Sequence, residues 1–425
     1  MCDVNSFIEL INQEVKPATG CTEPIAIALC VAKAREVLNE KIDKIELSLS
    51  PNIIKNAMGV GIPGTKQIGI RIAAALGAVA GESELGLEVL SKVNDEYVNE
   101  ANQLLEQNMI DIKVANCRYK LYISAKLYSK HNKSHVIIQG NHTNIIFISR
   151  NEQVILDKNS NITGQKSTCK DISTCIENIY NFASTTPYEK IKFILEGAIM
   201  NKKIALEGLN KEYGLKVGKT LEKNIERKLI ADDMKNYAIR LTAAASDARM
   251  DGCLLPVMTN SGSGNQGITV TLPVVAISEW LCKSQEELAR ALILSNLVAI
   301  HIKKHLGKLS ALCGVIVAGI GAGCGMTYLL DGDIGNINAT IKNMIGDVSG
   351  MICDGAKTGC ALKVATVVES AFNATMLSLG NIEITKDEGI IDENIETCIK
   401  NLTCIGSKGM EETDKMILDI MISKK

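Results

Sequence analysis

The sequence predicts an α+β protein, with a small mixed subdomain built on an antiparallel sheet and a large, mainly helical subdomain. Residues 111–156 alternate apolar and polar side chains, whereas the pattern from Tyr188 onward is helical almost to the end. A chain of 425 residues is also too long for one compact core. We therefore expect N-terminal helices over 1–42, an α/β subdomain over 43–156, a connection over 157–185 and a helical subdomain over 186–425.

The first 90 residues predict helices around one strand. Apolar residues recur at helical spacing over 7–15, and a second helix is expected from about Pro24 to Leu38. Residues 42–49 alternate and predict a strand, and 50–65 is expected to be a long loop after it. The alanine-rich segment 70–90 returns to a helical pattern.

The antiparallel sheet is expected from four alternating segments separated by short polar links. These segments are 111–115, 119–128, 135–139 and 144–149. The next residues, 157–185, are rich in Asn, Ser and Thr and predict a surface connection.

The segment 309–330 carries no charged side chain and is long enough to cross a bilayer. It is the only such stretch, however, and it is rich in Gly and Ala and poor in aromatic residues. We therefore expect a buried helical hairpin or a central helix, and no membrane partner.

Composition excludes some classes of partner. A net charge of −2 leaves no basic excess to neutralise phosphates, and 4% aromatic residues provide little for base stacking, so nucleic acid is not expected. The N-terminus has no basic segment followed by an apolar run, so we expect a cytoplasmic protein. There, the 14 cysteines should be reduced thiols or metal ligands. His301 and His305 lie among lysines and are expected on a solvated face.

Three cysteines stand out as candidate metal ligands. Cys313 follows Ser310-Ala311-Leu312, while Cys353 and Cys360 frame a segment in which Gly355 and Gly359 can turn the backbone and direct N–H groups towards sulfur. Three thiolates with one open position suit a [4Fe–4S] cluster whose fourth iron binds substrate. The spacing fits no standard zinc site, and buried filler cysteines remain the alternative.

Cys324 competes with Cys313 as a ligand, because it follows by 11 residues, about three helical turns. Packing among Gly321, Gly323 and Gly325 explains it equally well, so it ranks lower.

Cys21 is the candidate base. It lies in Pro17-Ala18-Thr19-Gly20-Cys21-Thr22-Glu23-Pro24, just before a predicted helix whose first position suits Pro24. The helix dipole favours a thiolate, which can remove a proton or bind metal. A loop cysteine without a role is the alternative.

Polar residues of two further segments are candidate substrate ligands. The glycine-rich segment 260–267 contains a formal G-x-G-x-x-G, but Ile268 onward is a poor helix start and no βαβ unit surrounds it, so we reject a dinucleotide site. Its N–H groups and polar side chains suit a small carboxylate instead. The candidate ligands are Ser261, Ser263, Asn265 and Gln266, together with Lys55, Asn56 and Thr65 from the 50–65 segment.

The strings PATGCTEP (17–24), KNAMGVGIPGT (55–65), SGSGNQGI (261–268), AGIGAGCG (318–325) and MICDGAKTGCALKVA (351–365) occur in this order. Together they resemble the L-cysteine desulfidase family, which includes the UPF0597 proteins and is related to the α chain of iron–sulfur L-serine dehydratases. The resemblance covers nearly the whole chain and is weakest over about 150–190.

The resemblance implies a [4Fe–4S] lyase that releases sulfide, ammonia and pyruvate from L-cysteine. It implies that Cys21 is the base and that Cys313, Cys353 and Cys360 hold the cluster. A small amino acid would be the substrate, and a homo-oligomer is compatible with the sequence. The alternatives are the same reaction on L-serine, a non-catalytic iron–sulfur redox or sensor protein, and a metal-free binding protein.

Overall fold

The computed structural model describes residues 4–158, 174–307 and 310–424. Its helices are α1 Val4–Glu14, α2 Thr22–Leu38, α3 Pro51–Ala57, α4 Ile70–Val79, α5 Asp95–Glu106, α6 Ile176–Thr185, α7 Tyr188–Ile191, α8 Leu195–Asn210, α9 Val217–Glu226, α10 Met234–Met250, α11 Gly264–Trp280, α12 Gln285–Leu306, α13 Gly314–Leu329, α14 Ile334–Val348, α15 Cys360–Leu379, α16 Ile395–Cys404 and α17 Glu411–Ser423. Its strands are β1 Pro17–Thr19, β2 Lys44–Leu49, β3 Ile110–Val114, β4 Tyr122–Tyr128, β5 Lys133–Gln139, β6 Ile145–Arg150, β7 Gln153–Asp157 and β8 Pro256–Met258. The predicted α+β class is confirmed.

The small subdomain contains a six-stranded sheet in the order β3-β2-β4-β5-β6-β7. The pairs from β2–β4 to β6–β7 are antiparallel, but β3 runs parallel to β2, so the sheet is mixed. Strand β2 is second from one edge of the sheet and lies between β3 and β4, which follow it much later in the chain. Strand β7 and helix α5 were not expected from the sequence.

Helices α2 and α4 pack on each other, and α2 also covers β4 and β5. Their buried side chains form one apolar core with the sheet, to which Ile27, Leu47 and Ile138 belong. Phe7 and Ile11 of α1 instead belong to the larger core of the helical subdomain. The helical pattern expected over 70–90 stops at Val79, and a 3₁₀ turn covers Ser83–Glu88.

Helix α13 is a central helix of the helical subdomain, as expected for the uncharged segment 309–330. It packs against α11, α12, α14 and α15. A Cβ at Gly321 would lie 2.4 Å from the Ser295 carbonyl oxygen, so glycine lets α13 approach α12 closely. No helix in the described part of the chain is both long and apolar enough to cross a membrane.

Three local expectations from the sequence differ from the structure. The segment 50–65 contains α3, which begins with Pro51 at its first turn. The connection expected over 157–185 contains α6, whose Ile179 and Phe182 are buried, while residues 159–173 lie outside the described residues. His305 is exposed, as expected, but His301 is buried, and its Nε2 lies 2.7 Å from Glu396 Oε2.

Candidate functional site

Cys313 and Cys353 meet because two chain segments pair with each other. Leu312 and Ile352 form an antiparallel bridge, the N–H of Cys313 donates to the Met351 carbonyl at 3.0 Å, and the N–H of Cys353 donates to the Ala311 carbonyl at 2.6 Å. Cys313 is also the N-cap of α13. The two thiols are thereby close enough for each to shift the pKa of the other.

Cys360 joins them from the first turn of α15. Gly355 permits the loop between Cys353 and Cys360, since its φ of +91° is unfavourable for other residues and a Cβ there would lie 2.3 Å from the Lys55 carbonyl oxygen. Gly359 has a φ of −60°, so the turn does not require glycine there. Gly59 forms a bridge with Lys357, which ties this loop to the segment after α3.

The backbone at Val315, Gly355 and Lys357 lies close to the sulfurs of Cys313, Cys353 and Cys360, respectively, and favours their thiolate forms. Burial nevertheless raises the pKa of Cys360, whose thiol donates to the Gly355 carbonyl at 3.8 Å. The neighbouring Cys313 thiol and the charge of Lys55 lower the pKa of Cys353, although burial opposes this effect. The Cys353 side chain and burial raise the pKa of Cys313.

Lysines surround the three cysteines. Burial lowers the pKa of Lys303 to about 8, although the charges of Cys353 and Cys313 oppose this effect. The charges of Lys55 and Lys363 act on Cys353 in turn. Positive charge is therefore concentrated where thiolates, or an anionic group bound to them, need compensation.

Cys21 lies just before a helix, as predicted, and is itself the N-cap of α2. Its thiol is not activated in this structure. Its Sγ donates to Glu23 Oε2 at 3.2 Å, and the side chain is 3% exposed. Burial, then the negative charge of Glu23, raise the pKa of the Cys21 thiol, and the opposing effect of Arg249 is smaller. The expectation that the helix dipole favours a thiolate is wrong here, because burial and an adjacent carboxylate outweigh the dipole.

Glu23 is the centre of a buried polar network. It accepts hydrogen bonds from Cys21, Thr22 and Asn56, and its Oε1 lies 3.9 Å from Nε2 of His142. Burial alone raises the pKa of Glu23, but the His142 ring and then the Cys21 thiol outweigh burial and lower it to about 2. An ionised carboxylate therefore lies next to a protonated thiol.

The glycine-rich segment 260–267 begins a helix, contrary to expectation. Helix α11 begins at Gly264, with the side chain of Ser263 accepting from the N–H of Gln266 as the N-cap. The rejection of a dinucleotide site still holds on topology, because the preceding strand β8 pairs only with β1, antiparallel, in a two-stranded sheet. This pairing places Cys21 near the segment, and Thr22 donates to the Gly262 carbonyl at 3.0 Å.

The predicted substrate residues of this segment have different surroundings. Ser261 donates to Asn260 Oδ1, and Asn265 accepts from Arg249 Nη1 at 3.1 Å. Gln266 donates to Asn260 Oδ1 through Nε2, while its buried Oε1 has no hydrogen-bond partner among the described residues.

Of the residues predicted from 55–65, only Asn56 reaches the Cys21 network, by donating to Glu23 Oε1 at 3.2 Å. Lys55 is 1% exposed, pairs with Asp414 of α17 and donates to the Cys353 carbonyl. A cavity of about 390 Å³ opens beside Lys55 and Asp414. Thr65 donates to the Ile62 carbonyl within its own turn.

Cys21 and one candidate metal ligand, Cys360, meet in a small apolar cluster. Cys21, Val60 and Met250 are buried together, and Cys360 packs against them. Cys324 is fully buried within α13, 11 residues beyond Cys313, which places it about 16 Å along the helix axis. The structure thus brings Cys21 to Cys360 and leaves Cys324 apart.

Comparisons with known proteins show the family of this chain. The serine dehydratase alpha chain family matches residues 84–419. A UPF0597 protein of Oleidesulfovibrio alaskensis is 47% identical over 419 residues, covering 99% of this chain and 98% of its own. UPF0597 proteins of Parabacteroides distasonis and Clostridium perfringens are 48% and 46% identical, and each alignment covers at least 98% of both chains. This chain belongs to the UPF0597 family. The serine dehydratase alpha-chain domain indicates an enzyme of the lyase type.

The cysteines of this UPF0597 protein can be tested for their fit to a cluster. Among the described residues, no group of three or more His, Cys, Asp or Glu side chains is arranged to hold a single metal ion. The thiolate ligands of a [4Fe–4S] cluster bind different irons, so they need not converge on one point as the ligands of a single ion do. Cys313, Cys353 and Cys360 lie near one another with lysines around them, which fits such an anionic group chemically.

Sequence reasoning missed four polar residues around Cys21 in this UPF0597 protein. Glu23 was considered only as a residue of the segment before the predicted helix. Lys303 was grouped with the solvated face of His301, although it is 7% exposed. His142 lies in the turn between β5 and β6, and Arg249 ends α10. A histidine or arginine without a recognisable spacing gives no sequence signal, since only the folded chain brings them to the site.

Proposed function

We propose that this protein is a [4Fe–4S]-dependent lyase that eliminates the β-substituent of L-cysteine, giving sulfide, ammonia and pyruvate. The observation that carries the proposal is that Cys360 packs against the small apolar cluster of Cys21, Val60 and Met250, while Cys353 and Cys313 lie near Cys360. A candidate proton-transfer group thus lies near one of three neighbouring candidate cluster ligands.

Cys313, Cys353 and Cys360 would hold the cluster through their sulfurs. When bound, the cluster supplies a Lewis-acidic iron that polarises the substrate and stabilises the leaving group. Burial raises the pKa of Cys360, and Cys353 together with burial raises that of Cys313, so both thiols would lose their protons on binding the cluster. Lys303, Lys363 and Lys55 compensate their charge.

Cys21 would remove the Cα proton of the substrate. The electron pair of the Cα–H bond forms the Cα–Cβ double bond, and the Cβ–S bond breaks with its electrons on the leaving hydrosulfide. The aminoacrylate product takes up a proton at Cβ, and water hydrolyses the resulting imine to pyruvate and ammonium. No step requires pyridoxal phosphate.

The resting thiol must first lose its own proton. Glu23 is positioned to accept it, because the Cys21 Sγ already donates to Glu23 Oε2 at 3.2 Å. Positive charge near Cys21 favours the thiolate, as the effect of Arg249 on the thiol pKa shows.

L-Serine is the second candidate substrate, and the match to the serine dehydratase alpha chain supports it. The two reactions differ only in the leaving group. The test is to purify and reconstitute the protein anaerobically and to measure sulfide, pyruvate and ammonium from L-cysteine beside pyruvate from L-serine. The proposal expects equal amounts of sulfide and pyruvate and a higher kcat/KM for L-cysteine. A protein that shows the cluster absorption but releases pyruvate from neither amino acid is a redox or sensor protein, and one that stays colourless holds no cluster.

A further inference from the structure

Arg249 is a buried cation without a carboxylate partner among the described residues. It lies at the C-terminal end of α10 and is 3% exposed. Its Nη1 donates to Asn265 Oδ1 at 3.1 Å and to Met250 Sδ at 3.3 Å. Its Nε is buried and has no hydrogen-bond partner in the part of the chain that the structure describes. The Nε–H of Arg249 therefore lacks the acceptor that buried polar groups normally have.

The free edge of Arg249 lies against the first turn of α11. A Cβ at Gly264 would lie 2.1 Å from Nε and 2.8 Å from Nη2, so only glycine leaves room for this edge. The first N–H groups of a helix lack intrahelical acceptors and favour an anion. Helix α11 is 17 residues long. Its N-terminus and the unpaired Nε of the buried Arg249 lie at one place.

A second unpartnered atom lies on the same turn. Gln266 is fully buried, and its Oε1 accepts no hydrogen bond from a described residue. This oxygen lies 3.2 Å from the position of a Cβ at Gly314, the residue that follows Cys313. A carbonyl oxygen without a donor is suited to an ammonium group.

We infer that Arg249 binds the α-carboxylate of the amino-acid substrate through Nε and Nη2, and that Gln266 Oε1 accepts from its α-ammonium group. A guanidinium can form a bidentate pair of hydrogen bonds with a carboxylate, and the N-terminus of α11 also stabilises the negative charge. Arg249 acts electrostatically on Cys21, and Gln266 lies beside Gly314 and Cys313. An amino acid held at both ends would thus place Cα towards Cys21 and its β-substituent towards the cysteine ligands.

This inference rests on the proposed function, but binding tests it separately from turnover. L-Alanine has the same carboxylate and ammonium and no β-leaving group, while L-alaninamide lacks the carboxylate charge. Titration calorimetry on the anaerobically purified full chain gives the ratio of the two affinities. This ratio is independent of how much of a variant is folded, because both ligands bind the same fraction.

Arg249→Lys keeps the positive charge but removes the bidentate donor geometry of the guanidinium, and Arg249→Gln removes both. We expect the wild-type protein to prefer L-alanine, and each variant to lose roughly 10- to 100-fold of this preference, the usual effect of a charged hydrogen bond. Arg240→Lys is the matched control, since Arg240 lies on the same helix and faces Glu222 and Asp232. It should leave the preference unchanged.

An unchanged preference in both Arg249 variants, or no preference in the wild-type protein, overturns the inference. If L-cysteine is turned over and the preference does not depend on Arg249, the inference fails while the proposed function stands. If the preference depends on Arg249 but L-cysteine is not turned over, the carboxylate site stands and the proposed function fails.

Discussion

Replacing Glu23 with Gln should lower the pKa of Cys21. The carboxylate accepts the Cys21 thiol at 3.2 Å, and its charge and this hydrogen bond both raise the thiol pKa. At an effective dielectric constant of about 20, two unit charges at this distance interact by about 5 kcal/mol. One pKa unit corresponds to about 1.36 kcal/mol, so the charge of Glu23 raises the thiol pKa by at most roughly 4 pH units. The Gln amide can still accept from sulfur, and we therefore expect the pKa of Cys21 to fall by about 2 to 3 pH units.

The pH dependence of kcat/KM measures this change in the free enzyme. A base with a raised pKa is mostly protonated near neutral pH, so wild-type kcat/KM should keep rising with pH through the alkaline range. In Glu23→Gln the rise should occur at lower pH, whatever happens to the maximal rate. Glu36→Gln is the control, because Glu36 lies on the same helix but contacts Ser83 and Lys33 instead of Cys21. A midpoint in Glu23→Gln that stays in place or moves to higher pH would refute the assignment of Cys21 as the base.

The other predictions concern the metal ligands and the buried thiols. Replacing Cys313, Cys353 or Cys360 with Ala should abolish the visible iron–sulfur absorption, whereas Cys324→Ala should keep it; the reverse pattern would show the ligand assignment to be wrong. Burial raises the pKa of Cys30 to about 12. The folded chain then keeps a proton that the unfolded chain loses above about pH 9, so stability falls as pH rises from about 9 towards 12. Urea unfolding of apoprotein should show this loss of stability. In Cys30→Ala, the free energy of unfolding should fall less steeply with pH, by about 1 kcal/mol per pH unit. An equal slope in the wild-type protein and the variant contradicts the raised pKa of Cys30.

The fold class and the meeting of the cysteines could be predicted because their signals are local or belong to whole motifs. Strand alternation and helical periodicity depend on residues that are close together in the sequence. The resemblance to the L-cysteine desulfidase family rests on five sequence strings that occur in one order. The parallel pairing of β2 with β3 is different, since it depends on the path of the chain between them. Helix α3 had a local signal, Pro51 after Ser50, which the apparent loop composition outweighed.

Helix α11 shows why the polar site was harder to predict. Its first turns contain two glycines, and Pro273 lies inside it, which intrinsically disfavour a helix. Tertiary packing determines the residue type here instead. A Cβ at Gly267 would lie 2.0 Å from the Met258 carbonyl oxygen, so the close packing of α11 on β8 requires glycine at this position. The contact of Glu23 with His142 likewise joins residues more than 100 positions apart and has no sequence signature.

Cys21→Ser is the most direct test of the central claim, that Cys21 serves a cluster held by three other cysteines. Serine keeps the size of the side chain, but its hydroxyl is far less acidic than a thiol. The account predicts that the anaerobic variant keeps the iron–sulfur spectrum and binds L-cysteine, while turnover falls by roughly 10²- to 10⁴-fold. Loss of the spectrum would make Cys21 a cluster ligand, and wild-type turnover with an intact spectrum would show that the base lies elsewhere.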